Sequence, residues 1–173
     1  GYKELWTKEG SPLKVYGFKL EELLQKALGD DYQVVLGMRY QSPSIPHALA
    51  QFKDKGISEL IVIPLYPQYA SSSTGSTIEK VMEEIKSLEV VPTVKFISQF
   101  FNHPLFIKAF TEIGKRYMNE AKYEHYLFSY HGLPEGQILK ASCDNYCKLG
   151  ECCKVFHAKN QYCYRAQCFE TTR

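Results

Sequence analysis

Short runs rich in β-branched residues alternate with longer segments of helical periodicity along most of the chain. The runs lie at Tyr32–Tyr40, Leu60–Ile63, Thr93–Ile97 and His125–Tyr130. Each is too short for a helix and is typical of a buried strand. Strands that alternate with helices predict right-handed crossovers and a parallel sheet. We therefore expect an α/β fold, a doubly wound parallel sheet with helices on both faces.

Helix-patterned segments separate these runs. Residues 13–28 carry apolar residues at helical spacing and stop at Gly29, and residues 46–55 suit a shorter helix. The capping box Ser76-x-x-Glu79 predicts the start of a third helix, and residues 104–117 have the periodicity of a fourth. In such a sheet, ligands bind in the loops beyond the carboxyl ends of the strands.

Composition excludes several classes of protein. With 173 residues, 45% of them hydrophobic and 23% charged, the chain is in the range of a globular domain with its own core. A formal net charge of +2 without a basic tract argues against a nucleic-acid binder. The sequence has neither the roughly 20-residue apolar stretch of a membrane span nor a signal-peptide pattern. We expect a cytoplasmic protein that at most lies against a membrane surface.

Unusual side chains follow three of the expected strands. They come at Met38-Arg39-Tyr40, in the hydroxyl-rich loop Pro64–Gly75 and at Ser129–Pro134. Aromatic faces can stack on a planar ligand and an arginine can pair with a carboxylate. Singly, a hydroxyl-rich loop is more often a helix cap, a tyrosine usually packs and a surface arginine usually pairs with an acidic neighbour. Their convergence at one sheet edge is what favours a binding site.

His131 stands out among these residues. A histidine after a strand is more often structural than a ligand, but Gly132 permits a sharp turn and Pro134 fixes the exit of the chain. A neutral imidazole directed into a cleft can accept a proton or hold a metal near neutral pH. His131 is therefore the candidate for a residue that accepts a proton or binds a metal.

Five motifs, in this order, resemble the ferrochelatase family. They are Trp6-Thr7-x-Glu9-Gly10-Ser11-Pro12-Leu13, Met38-Arg39-Tyr40, Leu65-Tyr66-Pro67-Gln68-Tyr69 with its Ser/Thr-Gly loop, Tyr130-His131-Gly132-Leu133-Pro134 and Tyr164-Arg165-x-Gln167-Cys168. The resemblance implies an enzyme of heme biosynthesis that inserts ferrous iron into a porphyrin, protoporphyrin IX or coproporphyrin III, and releases two protons. It also implies two similar lobes that face a porphyrin cleft.

The resemblance also implies roles for particular residues. His131 would be catalytic, as a ligand of the substrate iron and acceptor of pyrrole protons. Other residues would border the porphyrin. These are Ser11, Pro12, Leu13, Arg39, Tyr40, Tyr66, Tyr69 and Ser72.

Both ends of the sequence favour a partial chain. It opens without a first strand and stops where a helical pattern has just begun, whereas family members begin earlier and continue further, where a second His and a Glu complete the site. We expect residues 1–140 to form the first chelatase lobe, residues 141–163 a cysteine-rich insert, and residues 164–173 the start of the helix that leads into an absent second lobe. The isolated chain should be a poor catalyst.

All six cysteines fall between Cys143 and Cys168, which favours a metal group over a disulfide framework. Tetrahedral zinc and a two-iron two-sulfur cluster both need four thiolates, and a Cys-x2-Cys knuckle typical of zinc is absent from the sequence. Cys168, in the helical motif, should pack. The candidate cluster ligands are four of Cys143, Cys147, Cys152, Cys153 and Cys163.

The resemblance narrows the choice of metal group. Vertebrate-type ferrochelatases place one cluster ligand in the Ser/Thr-Gly loop, where this chain has Ser71, so that arrangement is excluded. The insert resembles a type in some bacterial members, in which all ligands lie in one internal segment, and this implies a 2Fe-2S cluster. The alternative is a reduced cysteine-rich loop, or disulfides formed on purification.

Two other functions compete with iron insertion. In the first, the chain is an iron-sulfur redox or iron-sensing module on an α/β scaffold, because a fold alone does not fix a function. In the second, it is a chelatase that inserts cobalt into a related tetrapyrrole. The porphyrin-edge motifs and His131 favour the ferrochelatase interpretation, since a sensor does not need them.

Overall fold

The computed structural model describes residues 2–53 and 55–173. Contacts divide the chain into two compact units, each described by itself. Unit 1 comprises Gly1–Ser58 and Lys80–Pro92, and unit 2 comprises Glu59–Glu79 and Thr93–Arg173. The α-helices are α1 (Tyr2–Leu5), α2 (Pro12–Leu28), α3 (Ile45–Ala50), α4 (Ser76–Ile85), α5 (Pro104–Met118), α6 (Glu135–Lys140) and α7 (Tyr164–Thr172).

A parallel pair of strands forms the sheet of unit 2. Strand β1 (Glu59–Val62) pairs with β2 (Thr93–Phe96), with Leu60 opposite Val94. The Ile97 N–H extends the ladder by donating to the Val62 carbonyl at 3.0 Å. Parallel neighbours need a crossover connection, and α4 lies in sequence between these two. This pairing confirms the α/β class, with a sheet smaller than the sequence predicts.

The prediction of a strand at Tyr32–Tyr40 is wrong. The structure gives this segment no strand, only an isolated bridge. Its backbone N–H groups are taken by side chains of α2: Val34 donates to Gln25 Oε1 at 2.8 Å, and Leu36 donates to Glu21 Oε2 at 2.7 Å. Alternate N–H groups on one side are typical of extended chain. The helix therefore supplies the acceptors that a neighbouring strand would have supplied.

The prediction of a strand at His125–Tyr130 is wrong as well. The segment has no regular secondary structure, and Leu127 is 93% exposed. A strand requires a neighbouring backbone to satisfy its N–H and C=O groups. Within the described residues, the only ladder is that between β1 and β2, so this segment lacks such a neighbour.

The hydroxyl-rich loop ends in a helical turn. Ser71–Gly75 forms a π-helical turn that runs directly into α4. Ser76 has helical angles, φ −61° and ψ −33°, so it is not the extended N-cap that the capping box predicts. Thr77 Oγ1 donates to the Ser73 carbonyl at 3.0 Å and ties the turn to α4. The helical conformation begins at Ser71, five residues earlier than expected, because the small residues Ser71–Gly75 are already helical.

Other helices follow their sequence signals closely. Helix α2 starts at Pro12 and ends before Gly29, whose φ of 72° favours glycine. Helix α3 is shorter than the predicted 46–55 and begins where Ser44 Oγ accepts the His47 N–H at 3.3 Å. In the part of the chain that the structure describes, none of the helices has the length and apolar character needed to cross a membrane.

Candidate active site

The predicted porphyrin residues of unit 1 lie at two positions. Ser11 is the N-cap residue of α2, Pro12 begins the helix, and Leu13 follows with 70% of its surface exposed. The Arg39 guanidinium lies over the Tyr40 ring, 4.6 Å from its centroid. The exposed Leu13 and Tyr40 side chains present apolar surface, and Arg39 adds a charge suited to a carboxylate.

The loop Tyr66–Ser72 of unit 2, hereafter the tyrosine loop, carries the other aromatic candidates. Tyr69 packs edge-to-face against Tyr162, with the ring centroids 6.2 Å apart. A Cβ on Gly75 would lie 3.2 Å from the Tyr69 hydroxyl, so glycine leaves room for that hydroxyl. Tyr66 and Ser72 are exposed. The loop is thus held at Tyr69 and open to solvent on either side.

His131 is an exposed side chain in the turn His131–Pro134, hereafter the histidine turn. Two contacts nearby hold this turn. The Tyr130 hydroxyl shares a hydrogen bond of 2.9 Å with Thr172 Oγ1 of α7. Leu133 lines a small cavity together with Tyr69 and Ser71, so the histidine turn and the tyrosine loop meet there. The structure thereby brings two of the predicted motifs of unit 2 together.

The cysteine segment, residues 141–163, is built from short 3₁₀ turns at Cys143–Asn145, Glu151–Cys153 and Ala158–Asn160. Cys143 is exposed, and all six cysteines are free thiols. Ile138 and Ala166 form a small core with Cys153 and Cys163. Four thiols line one cavity. They are Cys147, Cys152, Cys153 and Cys163.

Hydrogen-bond donors point at several of these sulfurs. The Lys148 N–H donates to Cys152 Sγ at 3.3 Å and the Leu149 N–H to Cys147 Sγ at 3.5 Å. Backbone donors, the Lys148 N–H first, lower the pKa of the Cys152 thiol to about 7, whereas burial raises the pKa of Cys147. Cys152 is therefore the member of this pair that ionises first.

Helix α7 connects the cysteine segment to the tyrosine loop. At its start, Arg165 donates to Cys153 Sγ at 2.8 Å and to the Gly150 carbonyl at 2.7 Å. Two residues later, Gln167 Oε1 accepts the Tyr69 N–H at 2.6 Å. The same short helix therefore contacts both regions. Cys168, on the same helix, is buried, as the sequence predicts.

Comparison with known proteins decides the family. The family model for ferrochelatase matches residues 1–173. A ferrochelatase of Legionella pneumophila is 44% identical over 171 residues, which cover 99% of this chain and 50% of the relative. A ferrochelatase of Coxiella burnetii is 41% identical over 173 residues, which cover 99% of this chain and 48% of the relative. The chain belongs to the ferrochelatase family. It spans about half the length of these curated relatives.

In this ferrochelatase-family chain, the thiols do not form a finished metal site. Within the described residues, no three Cys, His or carboxylate side chains converge in a geometry that could hold a metal ion. The donor set itself suits an iron-sulfur group, since four thiols line one cavity and N–H groups are directed at the sulfurs. The chemistry of the residues fits such a group, and the thiols would have to come closer together to bind it.

Sequence reasoning missed Gln167. It appears in the Tyr164-to-Cys168 motif, but nothing in a lone glutamine on a helix distinguishes a buried hydrogen-bonding residue from a surface one. In the structure it is fully buried. The only available signal was that a polar residue lies between Ala166 and Cys168, both of which are buried.

Proposed function

We propose that this chain forms part of a ferrochelatase, which inserts ferrous iron into a porphyrin in heme biosynthesis. The observation that carries the proposal is the meeting of the histidine turn and the tyrosine loop around one cavity, in a chain matched by the family over residues 1–173. Iron and the porphyrin are the substrates, and the metalloporphyrin and two protons are the products.

His131 is the proposed acceptor of pyrrole protons and ligand of the incoming iron. Two N–H protons must leave the macrocycle as iron enters it, and an exposed imidazole can accept a proton and pass it to water. The imidazole must be neutral for either role.

Porphyrin contact is proposed for the residues that the family motifs nominate, and each unit is considered by itself. In unit 1 the apolar surface of Leu13 and Tyr40 would face the macrocycle, and Arg39 would pair with a propionate. In unit 2 the tyrosine loop would supply aromatic and hydroxyl contacts. The remaining residues nominated are Ser11, Pro12, Tyr66, Tyr69 and Ser72.

The cheapest test is a titration with porphyrin, followed by the shift of the Soret band. Binding is expected from the chain itself, because all of the nominated contacts lie in it. Turnover is expected only when the chain is extended to the full length of its relatives, since it spans about half of that length. A full-length protein that neither binds porphyrin nor consumes ferrous iron would refute the proposed function.

We also propose that the cysteine segment holds a 2Fe-2S cluster on Cys147, Cys152, Cys153 and Cys163, with Cys143 spare. The four thiols share one cavity and Cys143 does not line it. Bound there, such a cluster supplies a one-electron redox centre. Arg165 would donate to the Cys153 sulfur and, like other donors to cluster sulfurs, stabilise its negative charge.

Iron and sulfide analysis of protein isolated without oxygen tests this assignment. About two irons and two sulfides per chain are expected for a 2Fe-2S cluster. Cys153→Ser should abolish the absorption of the cluster, while Cys143→Ser should preserve it. One zinc and no iron would replace the cluster with a structural zinc site.

The runner-up is an iron-sulfur redox or iron-sensing module, which the four-thiol cavity favours. The two functions separate in one experiment. A sensor would bind the cluster and show no Soret shift with porphyrin, whereas a ferrochelatase would bind porphyrin even after Cys153→Ser. A cytoplasmic location is also proposed, and cell fractionation tests it.

A further inference from the structure

We infer that Gln167 is a positioning residue for the porphyrin site: its buried amide fixes the backbone of the tyrosine loop at Tyr69. The inference rests on the proposed function, because the tyrosine loop is part of the proposed porphyrin contact. Gln167 itself is not expected to touch the substrate.

The hydrogen bonds of Gln167 use both ends of its amide. Oε1 accepts the Tyr69 N–H at 2.6 Å, across 98 positions of sequence. Nε2 donates to the Gln161 carbonyl at 2.6 Å and to Gln99 Oε1 at 2.7 Å. The side chain is fully buried, so none of these partners can be replaced by water without opening the packing.

These partners belong to three separate parts of unit 2. Tyr69 lies in the tyrosine loop, Gln99 follows β2, and Gln161 closes the cysteine segment. One amide therefore holds the loop in a fixed relation to the end of the sheet and to α7. A buried group that loses one of several partners leaves the others unsatisfied, which makes such a network act as a unit.

A second tether supports the first. Gln68 Nε2 donates to Thr171 Oγ1 at 3.0 Å, one helical turn beyond Gln167 on α7. Thr171 Oγ1 is also within 2.9 Å of the Phe101 carbonyl. Two adjacent loop residues are thus anchored to α7. Tyr66 and Ser72, on either side of them in the loop, are exposed. Pre-fixing a loop lowers the entropic cost of binding a ligand to it.

A purely structural role predicts a different result from a positioning role. If Gln167 only stabilises the fold, removal of its amide lowers stability and leaves the KM for porphyrin unchanged. If it positions the loop, the KM rises while kcat stays nearly constant, because the proposed proton acceptor, His131, is not one of its partners.

The test compares Gln167→Met with Gln51→Met in the full-length protein. Gln51→Met makes the same substitution at an exposed glutamine at the end of α3, outside the nominated porphyrin contacts. We expect Gln167→Met to raise the KM for porphyrin about tenfold, which corresponds to about 1.4 kcal/mol, with kcat within about twofold of the parent. Gln51→Met should leave both constants unchanged.

Two further variants keep the inference testable if Gln167→Met does not fold. Gln99→Met removes one acceptor of the Gln167 amide and keeps the Tyr69 bond, so it should raise the KM less than removal of either tether does. Gln68→Met removes the second tether from the loop side, and a rise in KM of about threefold is expected from one lost, part-buried hydrogen bond.

The outcomes are distinct. An unchanged KM in Gln167→Met, or in Gln68→Met if the first does not fold, overturns the inference and leaves Gln167 structural. A rise in KM for Gln99→Met equal to that for Gln167→Met overturns it too, since the Tyr69 bond would then not be the cause. A parent protein that does not bind porphyrin refutes the proposed function, and the inference with it.

Discussion

The stretch before the histidine turn, residues 121–130, and the cysteine segment lie close together in sequence but differ in how well their side chains are buried. Residues 121–130 have no regular structure and expose large apolar side chains, including Leu127. Residues 141–163 contain only short turns, yet they bury Cys153, Asn160 and Cys163. The sequence predicts a regular strand at residues 125–130, and for residues 141–163 it predicts only a cysteine-rich insert.

The difference comes from where each stretch finds its hydrogen-bond partners. Asn160 donates to the Cys152 and Val155 carbonyls at 3.0 and 2.7 Å, and its oxygen accepts the His157 N–H at 2.8 Å. The cysteine segment thereby satisfies itself through local contacts. A strand has no such option, because its backbone groups need another strand. A segment of this chain can therefore bury its side chains and satisfy its hydrogen bonds without forming a regular helix or strand.

The largest expected effect is the loss of turnover when the proposed catalytic residue His131 is replaced. His131→Ala in the full-length protein should lower turnover about 100-fold to 10,000-fold, the usual contribution of a positioned acid-base group. Porphyrin affinity should barely change, since it rests mainly on buried macrocycle area and carboxylate pairing. Steady-state kinetics and a Soret titration measure the two quantities.

His103→Ala is a suitable control, because His103 is also exposed and caps α5 through its ring nitrogen. It should retain normal turnover. If His131→Ala instead kept its turnover and lost porphyrin binding or folding, His131 would be a structural residue and the site would lie elsewhere.

Thiol reactivity should sharpen the comparison inside the cysteine-rich part. In reduced, metal-free protein, backbone donors lower the pKa of Cys152 to about 7, while burial raises the pKa of Cys168 to about 11. Only the thiolate reacts, and the larger thiolate fraction of Cys152 outweighs its lower intrinsic nucleophilicity, so at pH 8 Cys152 should be alkylated at least about tenfold faster than Cys168. Because a lowered pKa means more thiolate at a given pH, the Cys152 rate should fall as the pH drops below about 7.

Mass spectrometry after iodoacetamide treatment identifies the modified sites. Protein unfolded in urea is the control, and there all six cysteines should react at similar rates. Equal rates for Cys152 and Cys168 in folded protein would contradict the described packing of α7.

Local signals made part of the fold predictable. Helix α2 was predicted at residues 13–28, and Gly29 ends it as expected, while the helix starts one residue earlier, at Pro12. The strands β1 and β2 were predicted from compact β-branched runs. The segment at 32–40 has the same composition and is not a strand, because Gln25 and Glu21 accept its N–H groups. Nothing in the residue pattern reveals that competition.

The candidate site was predictable to a similar extent. The motifs nominated the histidine turn and the tyrosine loop, and Leu133 with Tyr69 brings them together. The role of Gln167 was not predictable, because it depends on a partner 98 positions away. The division of the cysteines was not predictable either, because spacing alone does not say that Cys143 faces solvent while four others share a cavity.

The stability of the cysteine segment should depend on one buried amide. Asn160→Leu removes three hydrogen bonds and leaves the Cys152 and Val155 carbonyls unsatisfied, so we expect a loss of about 2 kcal/mol in the free energy of unfolding. Urea unfolding measures it. Asn102→Leu, at an exposed position, should change the value by less than about 0.5 kcal/mol. Equal effects would mean that the segment is not self-supporting.

The smallest expected effect is on the free energy of unfolding when an exposed residue of the stretch 121–130 is replaced. Leu127 is 93% exposed, so Leu127→Ser should change the free energy of unfolding of this chain by less than about 0.5 kcal/mol. A strand buried in a sheet, as the sequence predicts for residues 125–130, would instead lose about 2–5 kcal/mol when a core leucine is truncated. Leu60→Ser, in the buried position of β1, provides that reference in the same unit. Comparable losses for the two variants in urea unfolding would mean that residues 125–130 pair as a strand after all, and that the histidine turn is held by the sheet rather than by Tyr130 and Leu133.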